Sequence, residues 1–514
     1  MSLPGIFHDL LYGIGVAASP TNLFVAVVGL LLGTAIGVLP GLGGTNGIAL
    51  LLPLTFRLQP TSAIILLSSV YWGAIFGGAI TSILFNIPGE PWSVATTFDG
   101  HPLAKQGKPG IALTAAFTSS FIGALISIVL FTFFAPPLAE IALKFGPPEN
   151  FAVLLLAFAT IAGLEGGDPL KSVLMTLLGL LLGTVGFDIV SGSPRMTFGV
   201  VALQSGINFI VIAIGLFGLG EILLTVEEGL RLEGVQARLS FRDVWETWKL
   251  FPRYVWTIVR GTVLGFWIGV LPGTGATPAS FMSYGLAKQF SPRGHRFGTG
   301  EVEGVVAPET AAHAAGIGAL LPMITLGIPG SPTAAVMLAG FFIWGLNPGP
   351  LLFREQREFV WGLIGSMYLA NVIGVLIVLT MVPAFAAINR IPFGVLAPLI
   401  VILSSVGAYA ANNQVLDLWI MLASGLAGYL FKKLGYPLAP LVVALVLGDM
   451  TEQALRQSLI MGQGSPAIFL HRPIALAFMA AALALGALPA MRALRRQARG
   501  RRGAAARPAP APRG

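Results

Sequence analysis

Long runs of apolar residues recur along almost the whole chain. The runs at residues 24–39, 111–134 and 360–382 contain no charged side chain. A helix of about 20 apolar residues crosses the hydrocarbon core of a bilayer, whereas a strand of a membrane barrel needs only about ten alternating residues. The pattern therefore predicts an all-α polytopic membrane protein and argues against a β-barrel.

Two of the apolar runs are interrupted by the same short motif. GVLPG at residues 37–41 recurs at 269–273, an offset of 232 residues, and Thr45 then matches Thr277. A second pair follows, because residues 77–93 resemble residues 318–334 at an offset of 241, with Ile-Pro-Gly in both. Two motif pairs in the same order indicate an internal repeat.

Charge bias suggests how the two halves lie in the membrane. The segment 226–256 holds five basic and five acidic residues beside several tryptophans, which is typical of a helix at the membrane interface. Eight arginines follow residue 491 without an acid, so the positive-inside rule places this tail in the cytoplasm. The linker is also expected inside and the 448–470 loop outside, so the second half crosses the membrane an odd number of times. If each of two similar halves crosses an odd number of times, the halves have opposite orientations in the membrane.

These patterns divide the chain into five predicted parts. They are a first repeat half at 1–225, an interfacial cytoplasmic linker helix at 226–253, a second repeat half at 254–470, a final transmembrane helix at 471–491, and a basic disordered cytoplasmic tail at 492–514. The predicted fold has two inverted-topology repeats with broken helices or re-entrant hairpins, as in secondary transporters.

Composition narrows the possible functions. Hydrophobic residues make up 55% and charged residues 10% of the chain, against roughly 25% charged in soluble domains. The net charge of +8 equals the charge of the tail, so it gives no sign of a nucleic-acid partner. Cysteine is absent, and no cleavable signal peptide is recognised. Because no Walker A motif for ATP hydrolysis is present, the energy for transport is expected from an ion gradient.

The interruptions themselves suggest a binding site for an anion. Proline and glycine should stop the first helix near Leu39, and a second helix is expected to begin near Thr45 or Asn46. A helix N-terminus at membrane depth presents free amides that suit a carboxylate, while the carbonyls of the preceding segment suit Na⁺. The predicted substrate-binding residues are Gly41, Gly43, Gly44, Thr45, Asn46, Gly273, Thr274, Gly275, Thr277, Pro329, Gly330 and Ser331, and the predicted cation-binding residues are Gly41, Asn86, Gly89, Gly273 and Ser331.

Other interpretations of these features were open. Proline and glycine also kink helices and allow close packing, and residues 41–47 resemble a phosphate loop but lack its strand–helix context. An intramembrane enzyme would gather several ionisable groups, whereas the matched interruptions contain only Glu90. Glu309 and His313 stand four residues apart in a helical pattern, where they could couple a proton, touch substrate or form a structural pair.

The chain resembles the TctA family, the large membrane subunit of the tripartite tricarboxylate transporters. The resemblance extends from about residue 20 to 465 and rests on the motifs at 37–56, 83–113, 301–338 and 445–459, and above all on FDGHPLAK at 98–105. Asp99 and Lys105 in this last motif are expected in a loop with a structural or gating role. Family members often carry two asparagines where this chain has Ala312 and His313, which puts the identity of the carboxylate in question.

The resemblance implies a function and partners. Such systems work in the bacterial inner membrane with a small TctB-like membrane subunit of about four spans and a periplasmic TctC-like binding protein, and they import citrate or another carboxylate with Na⁺ or H⁺. The resemblance also implies a transport domain that moves like an elevator against a scaffold. We therefore expect a non-enzymatic permease subunit that needs no cofactor beyond the coupling ion, and the alternative is a stand-alone organic anion exporter or uniporter.

Overall fold

The protein is helical almost throughout. The computed structural model describes residues 3–39, 42–164, 168–188, 192–228, 240–388 and 393–486. Six helices in this part of the chain are long and apolar enough to cross a membrane, and they contain the three apolar runs singled out in the sequence. Large apolar side chains such as Phe24, Leu177 and Trp419 stay more than half exposed, which suits contact with lipid. The chain is a multi-pass membrane protein.

The first half of the chain begins with a peripheral helix and ends near residue 228. One-turn 3₁₀ segments lie at Leu52–Arg57, Pro91–Ser93 and Val201–Leu203. The helices are α1 (Leu3–Ala17), α2 (Pro20–Val38), α3 (Gly43–Leu51), α4 (Pro60–Phe85), α5 (Val94–Lys105), α6 (Pro109–Ala142), α7 (Pro147–Leu164), α8 (Pro169–Gly183), α9 (Phe209–Ala213) and α10 (Gly220–Glu228), with a π-helical turn at Ile214–Leu219 joining the last two and a small hairpin, β1 (Gly186–Phe187) and β2 (Pro194–Arg195), before them.

The second half follows a short amphipathic helix. Further 3₁₀ segments lie at Phe251–Tyr254 and Gly294–Arg296. The helices are α11 (Phe241–Leu250), α12 (Val255–Val270), α13 (Ala276–Phe290), α14 (Val302–Gly318), α15 (Leu320–Leu326), α16 (Pro332–Ile343), α17 (Leu352–Glu355), α18 (Arg357–Ile388), α19 (Phe393–Asn412), α20 (Val415–Lys433), α21 (Ala439–Met461), α22 (Ile468–His471) and α23 (Pro473–Gly486).

The order of elements is the same in the two halves. In each half, a helix (α2 or α12) stops at an interruption and a short helix (α3 or α13) follows it. A long segment (α4, or α14 with α15) then reaches a second interruption before another short helix (α5 or α16). The longest helix of each half, α6 or α18, comes next and carries proline near its end. The sequence repeat therefore corresponds to a repeat of structure.

Glycines bring the first two long segments of each half into backbone contact. A Cβ on Gly33 or Gly37 of α2 would overlap the carbonyls of Val70 or Ala74 in α4. The matched glycines of the second half do the same, because a Cβ on Gly265 of α12 would overlap the Ala311 carbonyl in α14. Small residues permit this close approach, which is a common way to pack membrane helices.

The two halves interlock rather than lie side by side. α4 packs on α18 and α6 packs on α14, so the longest helix of each half packs against the other half. α4 and α14 run antiparallel, since the His313 ring lies 4.5 Å from that of Phe76 while a Cβ on Gly316 would lie 3.4 Å from Trp72. Around them, α21 packs against α7 and α8, and α20 packs against the π turn and α10.

The described part of the predicted linker comprises the end of α10 and α11. α10 runs on to Glu228, past the predicted boundary at residue 225, and α11 then covers ten residues with a capping box between Ser240 and Asp243. Trp245 and Trp248 of α11 are about half exposed, as an interfacial helix requires. Residues 229–239 and the basic tail at 492–514 lie outside the described residues, and the final helix is described from Pro473 to Gly486.

Candidate functional site

The first interruption begins where the sequence predicted and ends earlier. α2 stops at Val38 with Leu39 extended, as predicted for this proline–glycine motif. α3 starts at Gly43, whose φ of 58° suits glycine, two residues before Thr45, near which the start was predicted. Thr45 and Asn46 lie in the first turn of α3, where Asn46 is buried. Gly41 lies outside the described residues.

A carboxylate already sits at the N-terminus of α3. The buried side chain of Glu90, from the second interruption, accepts a hydrogen bond from the Gly44 amide through Oε1. Gly43 is needed beside it, because a Cβ there would overlap the same carboxylate. Free amides and the helix dipole favour an anion at this position. The sequence analysis predicted amides for an anion here and named Glu90 as ionisable, but it did not predict that Glu90, 46 residues away in the chain, would accept from the Gly44 amide.

In the second half, the corresponding amides are bound within the protein. The Gly273 amide donates to the Pro329 carbonyl at 3.2 Å, and the Gly275 amide donates to that of Gly330 at 3.0 Å. The Thr274 hydroxyl caps the end of α12 through the Leu271 carbonyl at 2.9 Å. These amides were predicted to bind substrate. They instead donate to carbonyls of the later interruption, and so connect the two interruptions of the second half.

The two later interruptions also match each other residue by residue. α4 ends at Asn86 and α15 ends at Gly327, both with left-handed backbone at the same place in the repeat. Gly89 and Gly330 follow, and a Cβ on either would overlap a carbonyl at the end of α2 or α12. The later interruption of each half therefore packs against the earlier interruption of the same half.

Contacts between the halves bring all four interruptions together. The hydroxyls of Thr45 in α3 and Thr333 in α16 are 2.7 Å apart. The Ser280 hydroxyl of α13 donates to the Trp92 carbonyl at 2.8 Å. The hydroxyl of Tyr71 interacts with both Ser331 and Thr333. We call this group of four interruptions and the threonines between them the tip cluster.

The predicted cation ligands in the described residues lie in the tip cluster, where several of them already make contacts within the protein. Ser331 caps α16 by accepting from the Ala334 amide at 3.1 Å. Asn86 forms the C-terminal cap of α4, and Gly89 and Gly273 are packed as described above. Thr277 is half-buried in the first turn of α13, and its carbonyl accepts from Ser280 at 3.0 Å. Within the described ranges, no group of three or more His, Cys, Asp or Glu side chains is arranged to hold a metal ion.

Charged residues near the tip cluster escaped the sequence analysis. Lys432 near the end of α20 forms an ion pair with Glu221 of α10 and interacts electrostatically with Glu90. Nothing in the linear sequence links these three residues, because the contact arises only when α10, α20 and the second interruption pack together.

A cavity of about 1020 Å³ lies beside α16, between the β1–β2 hairpin and α21. Arg195 donates to Glu452 at 2.9 Å, and Arg456 donates to Asp188 at 2.8 Å, so ion pairs hold the hairpin against α21. The cavity reaches Ala339, six residues beyond Thr333, which corresponds to about 9 Å along a helix. This cavity, which we call the vestibule, approaches the tip cluster along α16.

Asp99 has a structural position that differs from the prediction. It lies within α5 rather than in a loop and is fully buried. Its carboxylate accepts from the amides of Gly298, Gly300 and Glu301 at 2.8 to 2.9 Å and from the Tyr284 hydroxyl at 2.9 Å. Asp99 therefore fastens α5 to the segment before α14, while Lys105 at the end of α5 is exposed.

The Glu309–His313 pair predicted as one possibility does not form a side-chain hydrogen bond. The Glu309 carboxylate accepts from Thr96 at 2.6 Å and from Ser120 at 3.1 Å. Both ring nitrogens of His313 are buried without a hydrogen-bond partner. The interpretation as a mutually satisfied pair was therefore wrong, and both residues lie in the buried contact between the halves.

These features define a multi-pass helical membrane protein in which paired helix interruptions meet and the Glu90 carboxylate accepts a hydrogen bond from the N-terminus of α3. Residues 23–443 match the model of the Tripartite tricarboxylate transporter TctA family, and the chain belongs to this family. TctA is a family of transporter subunits, as the sequence motifs predicted.

Two relatives from Agrobacterium vitis are similar over different lengths. An uncharacterised 52.8 kDa protein of the TAR-I ttuC′ 3′ region is 40% identical over 494 residues, which is 95% of this chain and 98% of the relative. An uncharacterised protein of the TAR-II ttuC′ 3′ region is 37% identical over 236 residues, which is 45% of this chain and 98% of that relative. No solved structure matches the chain.

Proposed function

We propose that this protein is the permease subunit of a binding-protein-dependent secondary transporter that imports an organic carboxylate, a tricarboxylate or a similar acid, with a cation gradient. The family places the chain in a transporter system. The observation that carries the proposal is the carboxylate of Glu90 bound at the Gly44 amide. A helix tip that holds a carboxylate of its own chain has the geometry to hold that of a substrate.

The substrate would replace Glu90 at the tip of α3. Its carboxylate would accept from the Gly44 amide, with Thr45 and Asn46 in the same helical turn. Thr333 and Ser331 lie across the contact between the halves and would bind a second carboxylate or a hydroxyl. Because Glu90 matches Ser331 in the repeat, the two half-sites differ chemically, which suits an asymmetric substrate.

Two inverted repeats would let the tip cluster face either side of the membrane in turn. The antiparallel arrangement of α4 and α14 supports inversion, because these are matching elements of the two halves. The vestibule would be the approach from one side. We propose that the interruptions and their short helices move together as an elevator-like transport domain, with the remaining helices as scaffold.

The coupling ion and partners follow from the same scheme. Na⁺ would be held by carbonyls and hydroxyls around Asn86, Gly89, Gly273 and Ser331, with a proton as the alternative ion. The subunit would lie in the bacterial inner membrane with its C-terminus in the cytoplasm. A small TctB-like subunit and a periplasmic TctC-like binding protein would complete the transporter.

Substitution of Asn46 tests the site. In proteoliposomes with the partner subunits, Asn46→Ala should lower uptake of labelled citrate or of the acid that the binding protein selects by about ten- to a hundredfold, as expected for loss of a hydrogen bond to a charged group. Asn371→Ala is the control, because Asn371 is also buried but bonds to the Phe121 carbonyl in another part of the bundle. Normal uptake by correctly inserted Asn46→Ala would contradict the proposed site, and uptake without a binding protein would favour the exporter or uniporter.

A further inference from the structure

A buried carboxylate lies between the two halves, away from the tip cluster. Glu309 of α14 is 2% exposed, and it accepts hydrogen bonds from Thr96 of α5 and Ser120 of α6. The site is thus built from three helices, one from the second half and two from the first. Both oxygens of the carboxylate are engaged, but only by neutral hydroxyl groups.

No basic side chain balances Glu309. Among the described residues, no Lys, Arg or His side chain forms an ion pair with this carboxylate, whereas buried Asp9 and Asp188 both pair with arginine. Buried Glu303, on the same helix, also accepts from two hydroxyls but has Arg293 nearby. An ionised carboxylate buried in the protein without a counter-charge is costly, so such a group normally binds a proton or a cation.

The other titratable groups on the helices around α14 are engaged elsewhere or exposed. On α5, Asp99 binds the segment before α14 and His101 lies 3.0 Å from the Ile83 carbonyl. On α13, Tyr284 donates to Asp99 and Lys288 is exposed, and on α12 Arg260 donates to the Trp256 carbonyl. The inward part of α6, residues 111–134, has no charged residue, and Tyr71 of α4 lies beside Gly316.

The ring of His313 is a second, independent observation that indicates transient binding of a ligand or proton near Glu309. It lies one helical turn after Glu309 on the same face of α14, is 1% exposed, and has no partner for either ring nitrogen. Buried polar atoms are nearly always paired, so an unpaired imidazole points to a transient partner. Trp72, facing Gly316 almost a turn further on, also has an unpaired ring nitrogen.

α14 extends from Glu309 toward the tip cluster. Gly316 is seven residues after Glu309, which corresponds to about 10 Å along α14. At Gly316, a Cβ would lie 3.4 Å from the Tyr71 hydroxyl, and that hydroxyl interacts with Ser331 and Thr333. α14 therefore carries Glu309 and meets Tyr71, which contacts the tip cluster, at Gly316.

We infer that Glu309 is a proton-binding site that carries one proton in each transport cycle, with His313 as the relay. On one side of the membrane, the carboxylate takes up a proton and becomes a neutral acid. On the other side, the proton passes to His313 and then to water, and the carboxylate is restored. This inference rests on the proposed transport function and takes the proton, which that proposal gave as the alternative to Na⁺, as the coupling ion.

Infrared spectroscopy of the purified protein tests protonation without any substrate. At neutral pH, the wild type and Glu303→Gln should show the C=O stretch of a buried protonated carboxyl group, and Glu309→Gln should lack it. Thr96→Val should shift the same band because it removes one hydrogen bond to the carboxyl group, and it serves if Glu309→Gln fails to fold. A wild-type spectrum without such a band, or a band that both Glu309→Gln and Thr96→Val leave unchanged, would overturn the inference.

Transport measurements test the coupling separately. With a gradient of about one pH unit, coupling to one proton should give about tenfold accumulation of citrate or of the acid that the binding protein selects. Glu309→Gln should lose this accumulation but keep exchange of internal for external substrate, while Glu303→Gln should keep both. Proton-driven accumulation by Glu309→Gln would contradict the inference. Absence of both uptake and exchange in the wild type would contradict the proposed function instead, and the infrared result would still decide protonation.

Discussion

At the scale of single residues, the N-terminus of α3 binds a carboxylate, and no arginine or lysine in the described part of the chain forms an ion pair with it. The Gly44 amide and the dipole of α3 hold Glu90, and Lys432, which is paired with Glu221, interacts with Glu90 electrostatically. Because main-chain amides bind any carboxylate in the same way, a substrate carboxylate can replace that of Glu90 at the N-terminus of α3.

Replacement of Glu90 should strengthen substrate binding. Glu90→Gln keeps an oxygen that accepts from Gly44 but removes the negative charge that competes with and repels the substrate. We expect the Kd for a bound organic carboxylate, with citrate as first probe, to fall about tenfold. Calorimetric titration of purified protein measures this change.

The matched control is Glu358→Gln, an exposed glutamate at the start of α18. It should leave the Kd unchanged. Weaker binding by Glu90→Gln would mean that the carboxylate of Glu90 assists binding, for example through a cation, rather than occupying the substrate's place.

The sequence predicted which residues lie at the tips but not which atoms they bind. Glycine and proline spacing located the residues around Gly43 and Gly275, since these residues act through local backbone geometry. The partners came from elsewhere in the chain, as with Glu90 for Gly44 and Pro329 for Gly273. Such contacts depend on tertiary packing, which one sequence without an alignment does not specify.

At the scale of elements, each interrupted helix is completed by another interruption. The Gly330 amide donates to the Ala319 carbonyl, and the Gly330 carbonyl accepts from Gly275. Backbone groups freed by proline and glycine are therefore satisfied inside the protein, as a low-dielectric environment requires. A unit held mainly by such main-chain contacts is suited to move as one body.

Gly330→Ala should weaken this docking. The added Cβ would overlap the Gly269 carbonyl and lie 2.6 Å from the Ala319 Cα, so the interruption must shift. We expect a loss of about 1–3 kcal/mol in stability, measured as a lower unfolding temperature in detergent, together with reduced uptake.

Gly285→Ala in α13 provides the comparison, because its Cβ would enter open space. Alanine favours helix over glycine by up to about 1 kcal/mol, so this variant should be unchanged or slightly more stable. Equal stability and activity of the two variants would show that the contact at Gly330 does not matter.

Element boundaries show where sequence patterns stop being informative. The end of α2 at Val38 was predictable because proline and glycine act locally. The start of α3 lies at Gly43, two residues before Thr45, and the Glu90 carboxylate accepts from the Gly44 amide there, so the capping preference of Thr45 and Asn46 does not set this helix start. The linker was predicted as one helix, and this stays a prediction, because residues 229–239 between the end of α10 and the start of α11 lie outside the described residues.

At the scale of the whole molecule, reciprocal packing of the two halves is the main organising feature. α4 packs on α18 and α6 on α14, and matched elements run in opposite directions where α4 meets α14. The repeat was visible in the sequence because its motifs are unusual. The reciprocal packing could not be predicted, because it depends on contacts between residues hundreds of positions apart.

Inversion predicts opposite accessibility for equivalent loops. Arg57 and Gln289 occupy equivalent positions at the 232-residue offset, and both are exposed. The chain has no cysteine, so single variants Arg57→Cys and Gln289→Cys can be labelled without background. In sealed vesicles, a membrane-impermeant maleimide should label Arg57→Cys only from the periplasmic side and Gln289→Cys only from the cytoplasmic side.

Labelling of both variants from the same side would contradict inversion. Vesicles opened with detergent provide the control, since both positions should then react equally.

The account depends most on the claim that four interruptions form one carboxylate site. Thr45 is half-buried at the centre of the tip cluster, 2.7 Å from Thr333. In a Thr45→Cys variant, saturating citrate or the acid that the binding protein selects should slow thiol labelling about tenfold or more, while Ser465→Cys in the distant 462–466 turn should react at an unchanged rate. Equal labelling of Thr45→Cys with and without an acid that the transporter imports would contradict the central claim.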